Sequence, residues 1–257
     1  MENKTVLITG STSGIGLSIA KKFASKGCNI IFNGLEKEGP QIAQDVSHEY
    51  KVKTLYSSAD MLKKTEIIQM INEGISMFGK IDVLVNNAGI QYVAPIEEFP
   101  DDKWDSIIGI NLSASFHTIK TVWTDMKKRK AGRIINIASA HGLVASEFKS
   151  AYVASKHGLI GLTKALALEG GKYGITVNAI CPGYVRTPLV EKQITALAKA
   201  HMISEKEVVN NIMLKEQAVK EFINADTIAE FAFFLSRDQS KTITGSSFAF
   251  DGGWTAH

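Results

Sequence analysis

The chain has 257 residues, of which 45% are apolar and 21% charged, and it carries a formal net charge of +3. Apolar content of that order is that of a globular protein with a sizeable core, while the net charge is mild and the basic residues are mostly scattered. Two cysteines far apart in sequence, Cys28 and Cys181, exclude a disulfide framework and a cysteine metal cluster; reduced thiols in a cytoplasmic protein, with no metal site, are expected.

The densest basic run, Lys127 to Lys130, reads as a solvated helix end. No apolar run reaches the roughly 20 residues needed to span a bilayer. Met1 to Lys4 leads straight into the first predicted strand, so no signal peptide is expected, and neither is a membrane or nucleic-acid partner.

Strands and helices alternate along the chain. A short apolar strand over 4–9 runs into Thr9-Gly10-Ser-Thr-Ser-Gly14-Ile-Gly16, and an amphipathic helix follows over 14–26. A strand over 28–33 ends in Asn33-Gly34-Leu35, before a helix over 38–50. A strand over 52–58 precedes Asp60 and a helix over 63–78. The next strand, 81–86, opens into Asn86-Asn87-Ala88-Gly89, and a long helix over 101–129 contains Asn111. A strand over 133–138 stops at Ser139, and a helix over 151–172 starts beside Tyr152. A strand over 175–180 meets Pro182-Gly183, then a polar, helix-rich segment occupies 186–218. A helix over 224–236 and a strand over 246–250 close the chain before Asp251-Gly-Gly-Trp254.

Strands 28–33 and 81–86 are mostly apolar, with unbroken apolar centres, as parallel strands covered on both faces are. The pattern predicts an α/β protein with one Rossmann-type domain over 1–257. Its doubly wound, seven-stranded parallel sheet carries helices on both faces, and 186–218 is a lid. Gly10, Asn87, Ser139 and Pro182 each fall just after a strand, so their loops converge on one sheet edge, where such sheets bind ligands.

Two patterns in these loops carry chemistry. A strand, a glycine turn and a helix N-terminus are what a dinucleotide pyrophosphate needs: close backbone approach, free N–H groups and the positive end of a dipole. Tyr152 and Lys156 stand at i and i+4, on one helix face. A free tyrosine has a pKa of about 10, and a nearby cation favours phenolate. With a hydrogen bond from Ser139 to the same substrate oxygen, the set can move a proton on and off a carbinol.

The order and spacing of Thr9-Gly10-x3-Gly14-Ile15-Gly16, Asn86-Asn87-Ala88-Gly89, Asn111, Ser139, Tyr152-x3-Lys156 and Pro182-Gly183 resemble the short-chain dehydrogenase/reductase family, end to end. The resemblance implies an NAD(P)-dependent oxidoreductase. Tyr152 would be the acid/base, and Ser139 would polarise the substrate oxygen. Lys156 would bind the nicotinamide ribose and lower the tyrosine pKa, and Asn111 would hold a water linking Lys156 to solvent. The dinucleotide would lie against Gly10, Thr12, Ser13, Gly14, Ile15 and Gly16, against Asn87, Ala88 and Gly89, and against Pro182, Gly183, Val185 and Thr187. Leu35 and Asp60 would stand at its adenosine end, Tyr152 and Lys156 at its nicotinamide end. Gly34 replaces the acidic residue that usually holds the ribose hydroxyls, and neither Leu35 nor Ser13 is basic, so NAD is expected over NADP.

Four further segments narrow the resemblance to the D-3-hydroxybutyrate dehydrogenases. They are Gln91-Tyr-Val-Ala-Pro95, Ser139-Ala-His-Gly-Leu-Val-Ala-Ser146, Lys149-Ser-Ala-Tyr-Val-Ala154 and Thr187-Pro-Leu-Val-Glu-Lys-Gln193. A lysine, a histidine and two amides suit a small carboxylate. Gln91, His141, Lys149 and Gln193 would grip it, and Tyr184 and Trp254 would complete the substrate pocket. The chain departs from that group at Tyr184, where tryptophan is usual, at Glu147 for proline and at Arg186 for leucine. A buried Tyr184 hydroxyl would need a partner. The resemblance also implies a homotetramer. Other dehydrogenases of this type, acting on acetoacetyl-CoA, sugars or polyols, stay open as alternatives, as does a non-catalytic NAD-binding protein.

Overall fold

A computed structural model describes residues 2–256, without the side chains at 188, 189, 192, 196, 200 and 201. Seven strands alternate with helices in chain order. The first half holds β1 (Thr5–Ile8), α1 (Gly14–Ala24), β2 (Asn29–Asn33), α2 (Gly39–Tyr50), β3 (Thr54–Ser57), α3 (Lys64–Phe78) and β4 (Val83–Asn86). The second half holds α4 (Asp101–Ile108), α5 (Ala114–Arg129), β5 (Gly132–Ile137), α6 (Ser150–Gly170), β6 (Ile175–Pro182), α7 (Pro188–His201), α8 (Glu205–Val208), α9 (Ala225–Ser236) and β7 (Ser247–Phe250). All pairings are parallel, in the order β3-β2-β1-β4-β5-β6-β7. This is the expected seven-stranded, doubly wound sheet, with element ends shifted by a residue or two.

The strand period explains why both faces are covered. Along β1, Val6 and Ile8 join one core with Ile19, Phe23, Ile30, Phe32 and Ile228, while Leu7 joins the other with Ile31, Ile67, Ile71, Leu84 and Ile119. Alternate side chains point to opposite faces, so an all-apolar strand needs a helical layer on each side. The chain reverses direction across the sheet between β1 and β4, and the crevice beyond their carboxyl ends lies at that switch.

The single helix expected over 101–129 is broken. A wide π turn, Gly109–Ser113, separates α4 from α5. Asn111 sits in it, and its side chain is tied elsewhere. Its Oδ1 accepts from the Ile90 amide at 2.9 Å, and its Nδ2 donates to the Ile90 carbonyl at 3.0 Å and to Ser155 Oγ at 3.2 Å. Such a bulge re-aims backbone groups inside a helix, and propensity carries no trace of it, because the cause lies in the loop after β4.

Within 186–218, Val190, Ile194, Val208, Met213 and Leu214 form an apolar cluster of their own, apart from both sheet cores. Thr187 Oγ1 caps α7 by accepting from the Val190 amide, and Ser204 with Glu207 makes a capping box at α8. The segment therefore packs largely on itself. Among the described residues, no helix is long and apolar enough to cross a membrane.

Candidate active site

The loop after β1 is built for close approach. Gly10 and Gly14 hold φ of +61° and +53°, a region that favours glycine. A Cβ on Gly16 would stand 2.2 Å from the Gly10 carbonyl oxygen and 2.6 Å from Asn87 Nδ2. Asn87 Nδ2 donates to the carbonyls of Thr9 and Gly10 at 3.0 and 2.8 Å, and Thr9 Oγ1 accepts from the amides of Asn87 and Ala88, both at 3.0 Å. The loops after β1 and β4 are thereby locked together. α1 begins at Gly14 with no side-chain cap bond from Ser13 and no acidic residue in its first turn. Free amides at a helix N-terminus beside a glycine turn fit an anionic diphosphate. Thr187 closes the other side, 3.1 Å from where a Gly14 Cβ would stand. Gly16→Ala is expected to weaken dinucleotide binding at least tenfold, because the added carbon meets backbone rather than a flexible side chain; fluorescence titration with NADH measures it.

Asn33 is a binding-loop residue that the sequence reading passes over. Buried at the end of β2, it accepts from the Gly10 amide at 3.2 Å through Oδ1 and donates to the Ala59 carbonyl at 2.9 Å. A buried polar residue closing an otherwise apolar strand end is the available signal. Asp60 is engaged locally: its Oδ1 accepts from the Leu62 amide at 2.9 Å and its own amide donates to Glu66. Leu35 stands 68% exposed beyond β2.

Ser139 follows β5 and caps a short turn, its Oγ accepting from the His141 amide at 3.1 Å. Tyr152 and Lys156 lie on successive turns of α6. Lys156, 4% exposed, donates from Nζ to the Ile137 carbonyl at 2.9 Å and sits 5.5 Å from the Tyr152 ring centroid. Burial pushes the lysine down to about 8. It also raises the Tyr152 phenol above its ordinary value, opposed by a hydrogen bond with Ser139. This corrects the expectation of a tyrosine lowered by its lysine: within the protein alone desolvation dominates, and the phenol keeps its proton at neutral pH. Asn111 lies behind this group, its Oδ1 being 3.3 Å from where a Gly89 Cβ would stand, with Lys156 Nζ at 3.7 Å.

A cavity of about 160 Å³ joins these residues to the four expected to grip a carboxylate: Gln91, His141, Lys149 and Gln193 all line it. So do Asn87, Gly89, Pro182, Gly183, Val185 and Thr187, together with Ile90 and Val190, which the sequence reading misses. Lys149 Nζ reaches Tyr184 Oη at 3.2 Å and His141 Nε2 at 3.5 Å, so the Tyr184 hydroxyl has its partner. Burial, then the charge of Lys149, pushes His141 down to about 3, and burial lowers Lys149 too. The histidine is thus neutral, and Lys149 and Lys156 are the basic side chains that line the cavity. Trp254 stacks on Tyr184 at 5.8 Å and meets His141 edge-on at 4.8 Å. The Asp251 carboxylate holds this C-terminal turn, accepting from the amides of Gly253 and Thr255 at 3.0 and 2.9 Å. Arg186 lies outside, paired with Glu191, and Glu147 is exposed. Among the described residues, no group of three or more His, Cys, Asp or Glu could hold a metal ion.

Chemically, a neutral phenol, a hydroxyl and a buried cation face a small cavity beside a diphosphate cradle. Known proteins share this chain's pattern. The short chain dehydrogenase family model matches residues 4–198. A D-beta-hydroxybutyrate dehydrogenase of Rhizobium meliloti is 53% identical over 255 residues, covering 98% of this chain and 99% of the relative. One of Cupriavidus necator is 47% identical over 256 residues, covering 100% and 99%. Among solved structures, a variant of actinorhodin polyketide ketoreductase with NADPH superposes with a TM-score of 0.93 at 31% identity, covering 99% of this chain and 98% of that one.

Proposed function

This chain belongs to the short chain dehydrogenase family, as an oxidoreductase acting on CH–OH groups with a nicotinamide dinucleotide, and on that premise we propose that it interconverts D-3-hydroxybutyrate and acetoacetate with NAD. The observation that carries this reading is the half-buried lysine Lys149, held beside neutral His141 in a small cavity that also contains Ser139 and Tyr152. A sugar or polyol has no carboxylate to neutralise that charge.

The chain's residues divide the work. The loops at Gly10–Gly16, Asn87–Gly89 and Pro182–Thr187, with Lys156 at the ribose, would hold the dinucleotide. When bound in its oxidised form, it supplies a two-electron hydride acceptor and a positive charge. Lys149, His141, Gln91 and Gln193 take the substrate carboxylate, and Tyr184 and Trp254 wall the remainder. This fixes C3 with its hydroxyl between Ser139 and Tyr152. Ser139 hydrogen-bonds the oxygen, and the Tyr152 phenolate accepts its proton as the carbinol becomes a carbonyl; reduction returns the proton from the phenol. Asn111 lends backbone in the wide turn for a water that relays protons to Lys156.

The test is the NADH absorbance band with purified protein, NAD and D-3-hydroxybutyrate, with the L enantiomer and NADP beside it. D-specific turnover with NAD is expected. Dinucleotide binding without turnover of the acid would remove the substrate assignment.

The segment 186–218 acts as a lid hinged at Gly183, as its self-contained packing suggests. Amide exchange over 188–213 is expected to slow when dinucleotide and acetoacetate bind, while the sheet stays unchanged. Exchange as slow as the sheet's in both conditions would overturn this. Exposed Phe116 and Leu168 on α5 and α6 favour a homotetramer through those helices. Light scattering at micromolar concentration should return four times the chain mass, against a monomer if the reading fails.

A further inference from the structure

The usual acidic residue at the end of β2 is missing, yet a carboxylate occupies the space. Gly34 is buried, and a Cβ built on it would stand 2.5 Å from both Thr12 Oγ1 and Glu36 Oε2. Glu36 folds back over the glycine, and its Oε2 accepts a hydrogen bond from Thr12 Oγ1, within the loop that cradles the diphosphate. The fold-back is braced from below. Tyr56 Oη, on β3, donates to the Gly34 carbonyl at 2.7 Å and lies 3.2 Å from the Glu36 carbonyl, and the Tyr56 ring fills the place a Gly39 side chain would need. One cation, Lys37, belongs to the loop 34–38, and it is exposed.

We propose that Glu36, reaching over Gly34 to Thr12, is the residue of this chain that selects an unphosphorylated adenosine ribose, an inference that rests on the NAD reading above. The geometry works in both directions. With one oxygen anchored on Thr12, the carboxylate keeps acceptor capacity for a ribose hydroxyl, a charge-assisted bond. A 2′-phosphate at the same position would meet a fixed negative charge, and like charges brought together across a site are strongly disfavoured. Gly34 is then required for clearance: any side chain there displaces the Glu36 carboxylate from Thr12.

Calorimetric titration of the full-length protein with 5′-ADP and with 2′,5′-ADP isolates this end of the cofactor and needs no turnover. The wild type is expected to bind 5′-ADP at least tenfold more tightly. Glu36→Gln keeps an acceptor and removes the charge, so its affinity for 2′,5′-ADP should rise about tenfold while that for 5′-ADP changes little. Glu36→Ala should gain on 2′,5′-ADP and lose several-fold on 5′-ADP. Because Glu36 is exposed, both variants should keep the wild-type melting temperature, which checks folding. If neither variant changes the ratio of the two affinities by more than about twofold, the inference is wrong. If the wild type prefers NADP to NAD, the NAD reading fails; a rise in 2′,5′-ADP affinity in Glu36→Gln would still support Glu36 as the discriminator, and no rise would overturn it.

Discussion

Tyr152→Phe is expected to lower kcat in either direction by about 10³-fold, inside the range that a positioned acid/base contributes. The ring stays, so the packing around it persists, including the edge contact with His141 at 5.8 Å. The proton-carrying oxygen goes, and Ser139 alone cannot replace it. Titration with NADH should give a dissociation constant within a few-fold of wild type, which separates lost chemistry from lost binding. A variant retaining a tenth of wild-type kcat would mean that another group moves the proton. The pH profile is the second arm. Burial holds the Tyr152 phenol high, so phenolate becomes more abundant as pH rises and the oxidation rate should climb across the neutral and mildly alkaline range. The reduction rate, which needs phenol, should not climb. Tyr152→Phe should flatten the oxidation limb.

The same burial sets a cost at Lys156. Its folded pKa of about 8 lies below its unfolded value, so between the two the unfolded chain binds more protons and stability increases with pH. Well below 8 the folded protein carries the buried charge in full. Lys156→Met should therefore leave thermal stability at neutral pH equal or higher while losing activity.

Lys149→Ala is expected to reduce kcat/KM for D-3-hydroxybutyrate by about 10²-fold or more, because removing one partner of a desolvated charge pair costs several kcal/mol. His141 cannot compensate: a histidine pushed down to about 3 stays neutral where the enzyme works. Gln91 and Gln193 offer neutral donors, which are weaker than charged ones. The deciding comparison is the methyl ester of the same acid, which lacks the carboxylate charge. Activity on the ester should fall far less than activity on the acid. An equal loss on both would show that Lys149 shapes the cavity rather than neutralising a charge. The variant also releases Tyr184 from its bond at 3.2 Å, so Lys149→Met, which keeps the apolar stem, is the companion control.

Much of this protein was legible from its residues alone. The alternation of strands and helices, the two-sided apolar strands and the glycine turn before α1 follow from periods and backbone preferences that act within a few positions. They led directly to the seven-stranded parallel sheet. The i, i+4 spacing of Tyr152 and Lys156 fixed their shared face for the same reason.

What the tertiary structure decided lies beyond that range. The break at Gly109–Ser113 accompanies the ties of Asn111 to Ile90 and Ser155, far from it in sequence. The upward direction of Tyr152 and the downward one of Lys156 are set by desolvation, which sums over every neighbour that excludes water and so cannot be read from a window. Tyr184 finds Lys149, and Trp254 finds His141, because the loop after β6 and the C-terminal turn fold over the end of β5. At the end of β2 the sequence shows a glycine and no acid; only the folded loop brings Glu36 back into that space. Local rules set the elements and which loops face the crevice, whereas the charge states and partners inside it depend on contacts between segments that the chain separates widely.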